Sequence, residues 1–385
     1  MGDSTEKYMR RRRFLACGLG AVACVAGCGT ERAGNVLRTG FSITTAGRRW
    51  APVGKAFAGA ARSAGFAAAV SHAISGSPAT GTGPTGGSDG GPTSGPTSGP
   101  TSGGPAGSGP SGGGPTGGGP AEGGPTVGGG PVAGAGFAIT LSGLPALAAA
   151  ELNNTQSLLD TATPLARLSG QIEVVVVPDR SPLRDFGDFA ARLLASPQQT
   201  LLVGGPQGEP DHLLFGLIAR AIGADGRRVD YSGYPRLGEA ASALLSGKAV
   251  AAAGPLADWR TAIGRGRVRA LAVSSAQPVP DLDVPTLLEC GVRVDFADWT
   301  AAFGPEDMPA ESREQAVRMC EEVIGSSAWE AACLAAGWIP IPLAGDDFAR
   351  WLGTEIARTR AVLRDLGLLD STKATTCWGS CGNGH

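Results

Sequence analysis

His212 is the side chain in this sequence best placed to do chemistry, since it follows a glycine-rich loop and lies in the first turn of a predicted helix. From there it could donate a hydrogen bond to a bound carboxylate, or it could be a partly buried residue that packs the loop. A serine hydrolase would have to use His212 as its base, and no serine in a nucleophile elbow accompanies it. Hydrolysis is therefore a weak hypothesis.

Cysteines near the end of the chain could bind a metal or form disulfides. Cys377, Cys381 and His385 follow one another at intervals of four residues, but a zinc site needs four ligands. We therefore expect no metal and no other cofactor, and favour a disulfide or a disordered end. The pairing stays open among the five cysteines that follow the N-terminal segment, which are Cys290, Cys320, Cys333, Cys377 and Cys381. An odd number leaves at least one thiol unpaired.

The elements that must position reactive side chains alternate along the chain. Strands are predicted at 36–43, 66–74, 137–141, 172–177, 200–203, 229–231, 249–253 and 268–274. Helices are predicted at 50–64, 146–153, 186–195, 211–222, 237–245, 258–263, 311–324 and 346–366, and Asp211 is placed to cap one of them. This alternation predicts an open α/β architecture with two lobes.

Four turns, each between a strand and a helix, are the predicted ligand-binding positions. They lie at 44–49, 142–145, 204–208 and 231–236. Ligands of α/β proteins bind at the carboxyl ends of strands. Backbone N–H groups at helix N-termini can replace the water lost by a desolvated anion.

Composition isolates one segment and excludes one class of partner. Residues 76–136 contain 26 of the 62 glycines and 11 of the 28 prolines, with Asp89 and Glu122 as the only charges. Such a segment cannot bury enough apolar surface to fold, so we interpret it as a disordered insertion. The net charge of −2 leaves no basic surplus for phosphates, which argues against nucleic-acid binding.

The N-terminus has the pattern of an export signal. Four arginines, Arg10–Arg13, precede the uncharged run Phe14–Gly27, which is too short to span a bilayer. The run ends in Val-Ala-Gly before Cys28, which is typical of a bacterial lipobox with a diacylated cysteine. Residues 1–27 are thus predicted to leave as a signal peptide, by a twin-arginine or general route. The mature chain would be anchored by lipid on the extracytoplasmic face of the membrane.

Three segments carry a resemblance to a known family. They read GRVRALAVSS at 266–275, DVPTLLECG at 283–291 and WTAAFGPEDMP at 299–309. With the loop Gly204–Leu213, the turn Tyr231–Gly233 and the helix end Leu244–Gly247, they resemble the extracytoplasmic solute receptors of tripartite tricarboxylate transporters, the Bug family.

The resemblance implies an α/β, bilobal, periplasmic-binding-protein-like fold (a type 2 Venus flytrap) that closes on a small di- or tricarboxylate. It implies transporter permease subunits as partners and no enzymatic activity. The expected ligand contacts are Thr44, Thr45, Ser142, Gly143, Gly205, Gln207, His212, Tyr231 and Ser232. The chain departs from the family in the first turn, where Arg48 and Arg49 replace an acidic ligand contact. Both could favour a more anionic ligand or be solvated.

The expected organisation places the insertion inside the first lobe. A signal peptide at 1–27 and a tether at 28–35 precede the first part of lobe 1, which comprises 36–75 and 137–172 and is interrupted by the insertion at 76–136. Lobe 2 follows at 173–275, the second part of lobe 1 at 276–370 and a tail at 371–385. The altered first turn and the insertion motivate an alternative, a degenerate receptor that serves as an interaction or sensory module of the envelope.

Overall fold

The structure is a computed structural model that describes residues 38–70, 135–156 and 158–369. The signal peptide, Cys28, the tether, the bulk of the insertion and the C-terminal tail lie outside the described residues, so the predictions about them stay predictions. Within the described ranges, no helix has the length and apolar character needed to cross a membrane.

The first sheet forms lobe 1. Its six strands are β1 (Arg38–Thr45), β2 (Phe66–Val70), β3 (Ala135–Gly143), β4 (Thr163–Gln171), β10 (Asp298–Gly304) and β11 (Ile339–Ala344). They are ordered β11-β4-β10-β3-β1-β2, with β1 parallel to β2 and β3 and with β10 antiparallel to β3 and β4. Its helices are α1 (Ala51–Ser63), α2 (Leu144–Asn153), α3 (Leu158–Thr161), α8 (Ala310–Ile324), α9 (Ser327–Ala336) and α10 (Gly345–Asp365).

The second sheet forms lobe 2. Its five strands are β5 (Glu173–Pro178), β6 (Leu202–Gly204), β7 (Tyr231–Gly233), β8 (Ala251–Pro255) and β9 (Val268–Val273), in the order β7-β6-β8-β5-β9. Its helices are α4 (Phe186–Ala195), α5 (Pro210–Ile222), α6 (Leu237–Leu245) and α7 (Leu256–Gly264). The strand β5 lies among helices on both faces and is a run of valines, as expected for a buried strand.

Two segments cross between the lobes, and a buried serine ties them together. Ile172 joins β4 to β5, and the segment after Ser274 leads from β9 back to β10. The Ser274 hydroxyl accepts from the backbone N–H of Glu173 at 2.9 Å and donates to the carbonyl of Phe296 at 2.7 Å. Because these bonds join both crossings, they fix the start of β5 next to the start of β10.

The predicted α/β architecture is confirmed, but β4, β10, β11, α3 and α9 are missing from the prediction. The sequence of β4, TPLARLSGQ, has no clear alternation, and β11 contains Pro340 and Pro342. Proline is tolerated in a strand only at a sheet edge, and β11 is an edge strand. The three helices predicted at 186–195, 211–222 and 237–245 lie within one residue of the observed bounds.

Candidate functional site

The glycine-rich loop between β6 and α5 is held by an acidic side chain. The Asp211 carboxylate accepts a 2.5 Å hydrogen bond from the backbone N–H of Gly205. The prediction that Asp211 caps α5 is wrong, because the helix begins at Pro210 and its N-cap residue is Glu209. Burial raises the pKa of Asp211 to about 6, although the Gly205 bond opposes the shift.

Two aromatic residues complete the support of this loop. The Tyr231 hydroxyl donates to the carbonyl of Gly205 at 2.6 Å, and the His212 ring stacks on Tyr231 with centroids 4.0 Å apart. Nδ1 of His212 accepts from the backbone N–H of Gly208 at 3.1 Å. Burial lowers the pKa of His212 to about 4, so its ring is neutral at pH 7. The acceptor nitrogen of His212, Nδ1, is therefore occupied by a backbone N–H of the loop itself.

The lobe 1 residues of the predicted site lie at the ends of β1 and β3. The Thr44 hydroxyl bonds Thr140 Oγ1 at 2.8 Å, and Thr45 and Ser142 are buried. Gly143 fits because a Cβ at that position would lie 2.2 Å from the carbonyl oxygen of Trp299. These residues therefore lie at the carboxyl ends of β1 and β3, just before α1 and α2.

Arg49 connects the two lobes. Its guanidinium lies 2.7 Å from Glu209 of the glycine-rich loop and 3.0 Å from Asp298 at the start of β10. Burial opposes the charge of Arg49, but the two carboxylates raise its pKa above the ordinary value. Arg48 and Arg49 are both exposed, and Arg49 is also ion-paired to these two carboxylates. Arg49 therefore links the first turn to the glycine-rich loop and to the start of β10.

Three buried carboxyl groups belong to this bridge or interact with it, and Asp298 is one of them. Glu173, Asp211 and Asp298 are 0 %, 8 % and 4 % exposed. Burial raises the pKa of Asp298 to about 6 against the effect of Arg49. Burial also raises the pKa of Glu173 well above its ordinary value, with Asp211 and Asp298 acting in the same direction. Neither carboxyl oxygen of Glu173 has a hydrogen-bond partner.

The structure brings Gly205, His212 and Tyr231 together in one contact network. Gln207 and Ser232 flank that network, and Gln207 is exposed. The sequence analysis missed Glu173 and Asp298, although an acidic residue at the start of a valine strand was a visible signal. The functional roles of the nine predicted contacts stay predictions.

The structure limits the roles that the described cysteines can have. Cys290, Cys320 and Cys333 are free thiols, and the last two are buried, so they act as small apolar residues. Cys377, Cys381 and His385 lie outside the described residues. Among the residues that are described, no three His, Cys, Asp or Glu side chains converge closely enough to hold a metal ion.

Comparison with known proteins adds the family. The model of the family described as "Tripartite tricarboxylate transporter family receptor" matches residues 133–368. This range includes both crossings and the glycine-rich loop. No curated protein sequence matches the chain.

Solved structures show the same fold at low sequence identity. A TctC solute-binding protein from Polaromonas, without ligand, is 16% identical with a TM-score of 0.59, over 85% of this chain and 99% of that one. The periplasmic binding protein BugD is 14% identical with a TM-score of 0.54, over 86% and 98%. MatC from Rhodopseudomonas palustris, with bound malate, is 14% identical with a TM-score of 0.50, over 87% and 100%. These similarities confirm the bilobal binding-protein fold.

Proposed function

Because the chain belongs to the family of tripartite tricarboxylate transporter receptors, we propose that it captures a small di- or tricarboxylate outside the cytoplasm and delivers it to the membrane subunits of such a transporter. The family match carries this proposal, since it spans the glycine-rich loop, both crossings and the strands from β3 to β11. The malate in MatC supports the ligand class.

The ligand is proposed to bind between the first turn and the glycine-rich loop. Gln207 is exposed there, and Ser232 lies in the neighbouring strand β7. The guanidinium of Arg49, 42% exposed, offers a charged donor to a ligand carboxylate once the lobes part. A carboxylate needs such donors because it loses its water on closure.

The proposed location follows from the N-terminal sequence. Residues 1–27 would be removed, and a lipid on Cys28 would anchor the receptor to the extracytoplasmic face of the membrane. The receptor would then meet its permease in the plane of the membrane. The proposal includes no catalytic activity.

A thermal-shift screen over di- and tricarboxylates tests this function. A ligand that binds only the folded state raises stability by RT ln(1 + [L]/Kd), so one class of anion should raise the melting temperature as its concentration increases. If no carboxylate at millimolar concentration shifts the melting temperature, the proposal is contradicted.

A second candidate is a degenerate receptor used as an interaction or sensory module. It is favoured by Asp211 and Arg49, because the chain's own side chains satisfy the loop N–H of Gly205 and bridge the lobes. Capture of a specific envelope partner, together with no response to any carboxylate, would support this candidate over transport.

A further inference from the structure

A cavity of about 760 Å³ lies against the C-terminal half of α5, and the proposed function does not use it. Its wall is made by α5, by the middle of α10 and by the segment 291–294, which belongs to the crossing from β9 back to β10. One of its α5 residues, Arg220, follows His212 by about 12 Å along the helix. The cavity is therefore separate from the glycine-rich loop at which the carboxylate is proposed to bind.

Small side chains on two packed helices leave this space open. Ala221 of α5 lines it, together with Ala357 and Ala361, which lie one turn apart on the same face of α10. The apolar lining also includes Leu217 and Val294, which are both buried. A cavity of this size can hold a small organic ligand.

Three arginines, Arg220, Arg293 and Arg358, line this arginine cavity, and no acidic residue does. Arg220 pairs with Asp365 at 3.2 Å, and Arg358 pairs with Glu355 at 3.3 Å. Arg358 makes one further bond, to a backbone carbonyl. Because a guanidinium has five N–H donors, both arginines have N–H groups that these contacts leave unused.

Arg293 supplies a positive charge that the described carboxylates do not neutralise. It lies between Val292 and Val294, which are both buried, so the extended segment turns its side chain outward. Its side chain makes no ion pair or hydrogen bond with any described residue. The nearby Asp295 is exposed and lines a different cavity. The arginine cavity is therefore positively charged and suited to an anion.

We propose that the arginine cavity binds a phosphate group, carried by a small organic molecule or by a lipid headgroup. Three guanidinium groups on three separate elements suit a tetrahedral group with several acceptor oxygens, whereas a carboxylate has two oxygens in one plane. The apolar lining would contact the organic part of the ligand. Because α5 belongs to lobe 2 and α10 to lobe 1, the bound molecule would contact both lobes.

Calorimetry with glycerol 3-phosphate and inorganic phosphate tests the soluble form of the ligand on the purified chain. Glycerol 3-phosphate should bind, and added salt should weaken the binding. Arg293→Gln should weaken it about tenfold or more, because a charge-assisted hydrogen bond is lost. This variant removes no ion pair between described residues, so it should fold as the wild type does. Arg265→Gln, which replaces another exposed arginine, is the control and should change the affinity by no more than about twofold.

Vesicle flotation tests the lipid form of the ligand. Phosphatidylcholine vesicles with and without phosphatidylglycerol are mixed with the wild type and both variants, so any binding by the N-terminal segment is common to all three proteins. Recruitment by phosphatidylglycerol that decreases in Arg293→Gln but not in Arg265→Gln identifies a lipid headgroup as the source of the phosphate. A calorimetric effect of Arg293→Gln without a change in flotation identifies a soluble phosphate ester.

Three results would overturn the proposal. The first is that glycerol 3-phosphate, inorganic phosphate and the anionic vesicles all fail to bind, or bind to Arg293→Gln as to the wild type. The second is an equal loss in Arg293→Gln and Arg265→Gln, which would show a general effect of charge. The third is succinate binding that depends on Arg293 and is as tight as that of glycerol 3-phosphate, which would show an unselective anion site.

Discussion

The Asp211 carboxylate accepts the backbone N–H of Gly205 at 2.5 Å, so an acidic side chain of α5 occupies a donor of the loop that precedes its own helix. Such loop N–H groups are the ones that anion-binding clefts offer to a ligand. In this chain the loop is therefore pre-organised by an internal carboxylate, and the ligand must use other donors.

The Asp211→Asn variant is expected to lose less stability than the wild type as the pH rises from 4 to 7. The pKa of Asp211 rises from 3.8 to about 6 on folding, so the folded state binds more protons in this range. Stability that is present below pH 3.8 is then lost as the pH rises through about 6, by about 3 kcal/mol. Urea denaturation at several pH values measures it. An unchanged pH profile in the variant would contradict the raised pKa.

His212 is expected to change the stability of the fold with pH in the opposite direction to Asp211. Its pKa falls from 6.5 to about 4 on folding, so the stability it contributes is present above pH 6.5 and is lost as the pH falls toward 4. His212→Asn keeps an acceptor for the N–H of Gly208 and cannot be protonated in this range. The variant should lose less stability on acidification than the wild type. A steeper loss in the variant would rule out a neutral, accepting His212.

Removing the bridge between the lobes should open the molecule. Arg49→Ala leaves Asp298, which is buried, without its cation, and we expect a loss of about 1–3 kcal/mol and a larger radius of gyration by small-angle X-ray scattering. Arg48→Ala is the matched control, since Arg48 is exposed and should change stability by no more than about 0.5 kcal/mol. Identical scattering curves for both variants would refute the bridging role of Arg49.

Gly143→Ala should damage lobe 1 more than its small size suggests. The added Cβ would lie 2.2 Å from the backbone oxygen of Trp299, so β3 and β10 would have to separate. A loss of about 2 kcal/mol or more is expected. Gly59→Ala in α1 has open space around it and should be neutral or stabilising by up to about 1 kcal/mol. Equal melting temperatures for the two variants would disprove the close approach.

The elements with strong periodicity could be predicted from the sequence, and those set by tertiary pairing could not. The helices α4 and α6 were predicted with their observed bounds because their apolar spacing and flanking residues are local signals. Strand β10 is fully buried between β3 and β4, so its identity depends on partners more than 120 residues away. Local sequence patterns carry no information about such pairing.

The loops of the candidate site could be predicted from the sequence, but the contacts of its charged side chains could not. The loop with Gly205, His212 and Tyr231 was found because glycine and histidine follow a strand and precede a helix. The link from Arg49 to Asp298 joins residues 249 apart in the sequence, and no local pattern reports it. The burial of Glu173 depends on both crossings, so only the folded chain reveals that its carboxyl lacks a partner.

Mass spectrometry of the ligand that co-purifies with the folded chain is the most direct test of the proposed function. The protein is isolated without added organic acids, transferred to a volatile buffer and examined in its native state and after denaturation. A receptor of this family with the proposed ligand should release a small di- or tricarboxylate in stoichiometric amount. Release of a ligand that has no carboxylate, or a ligand-free chain that also fails to bind any carboxylate added later, would contradict the account.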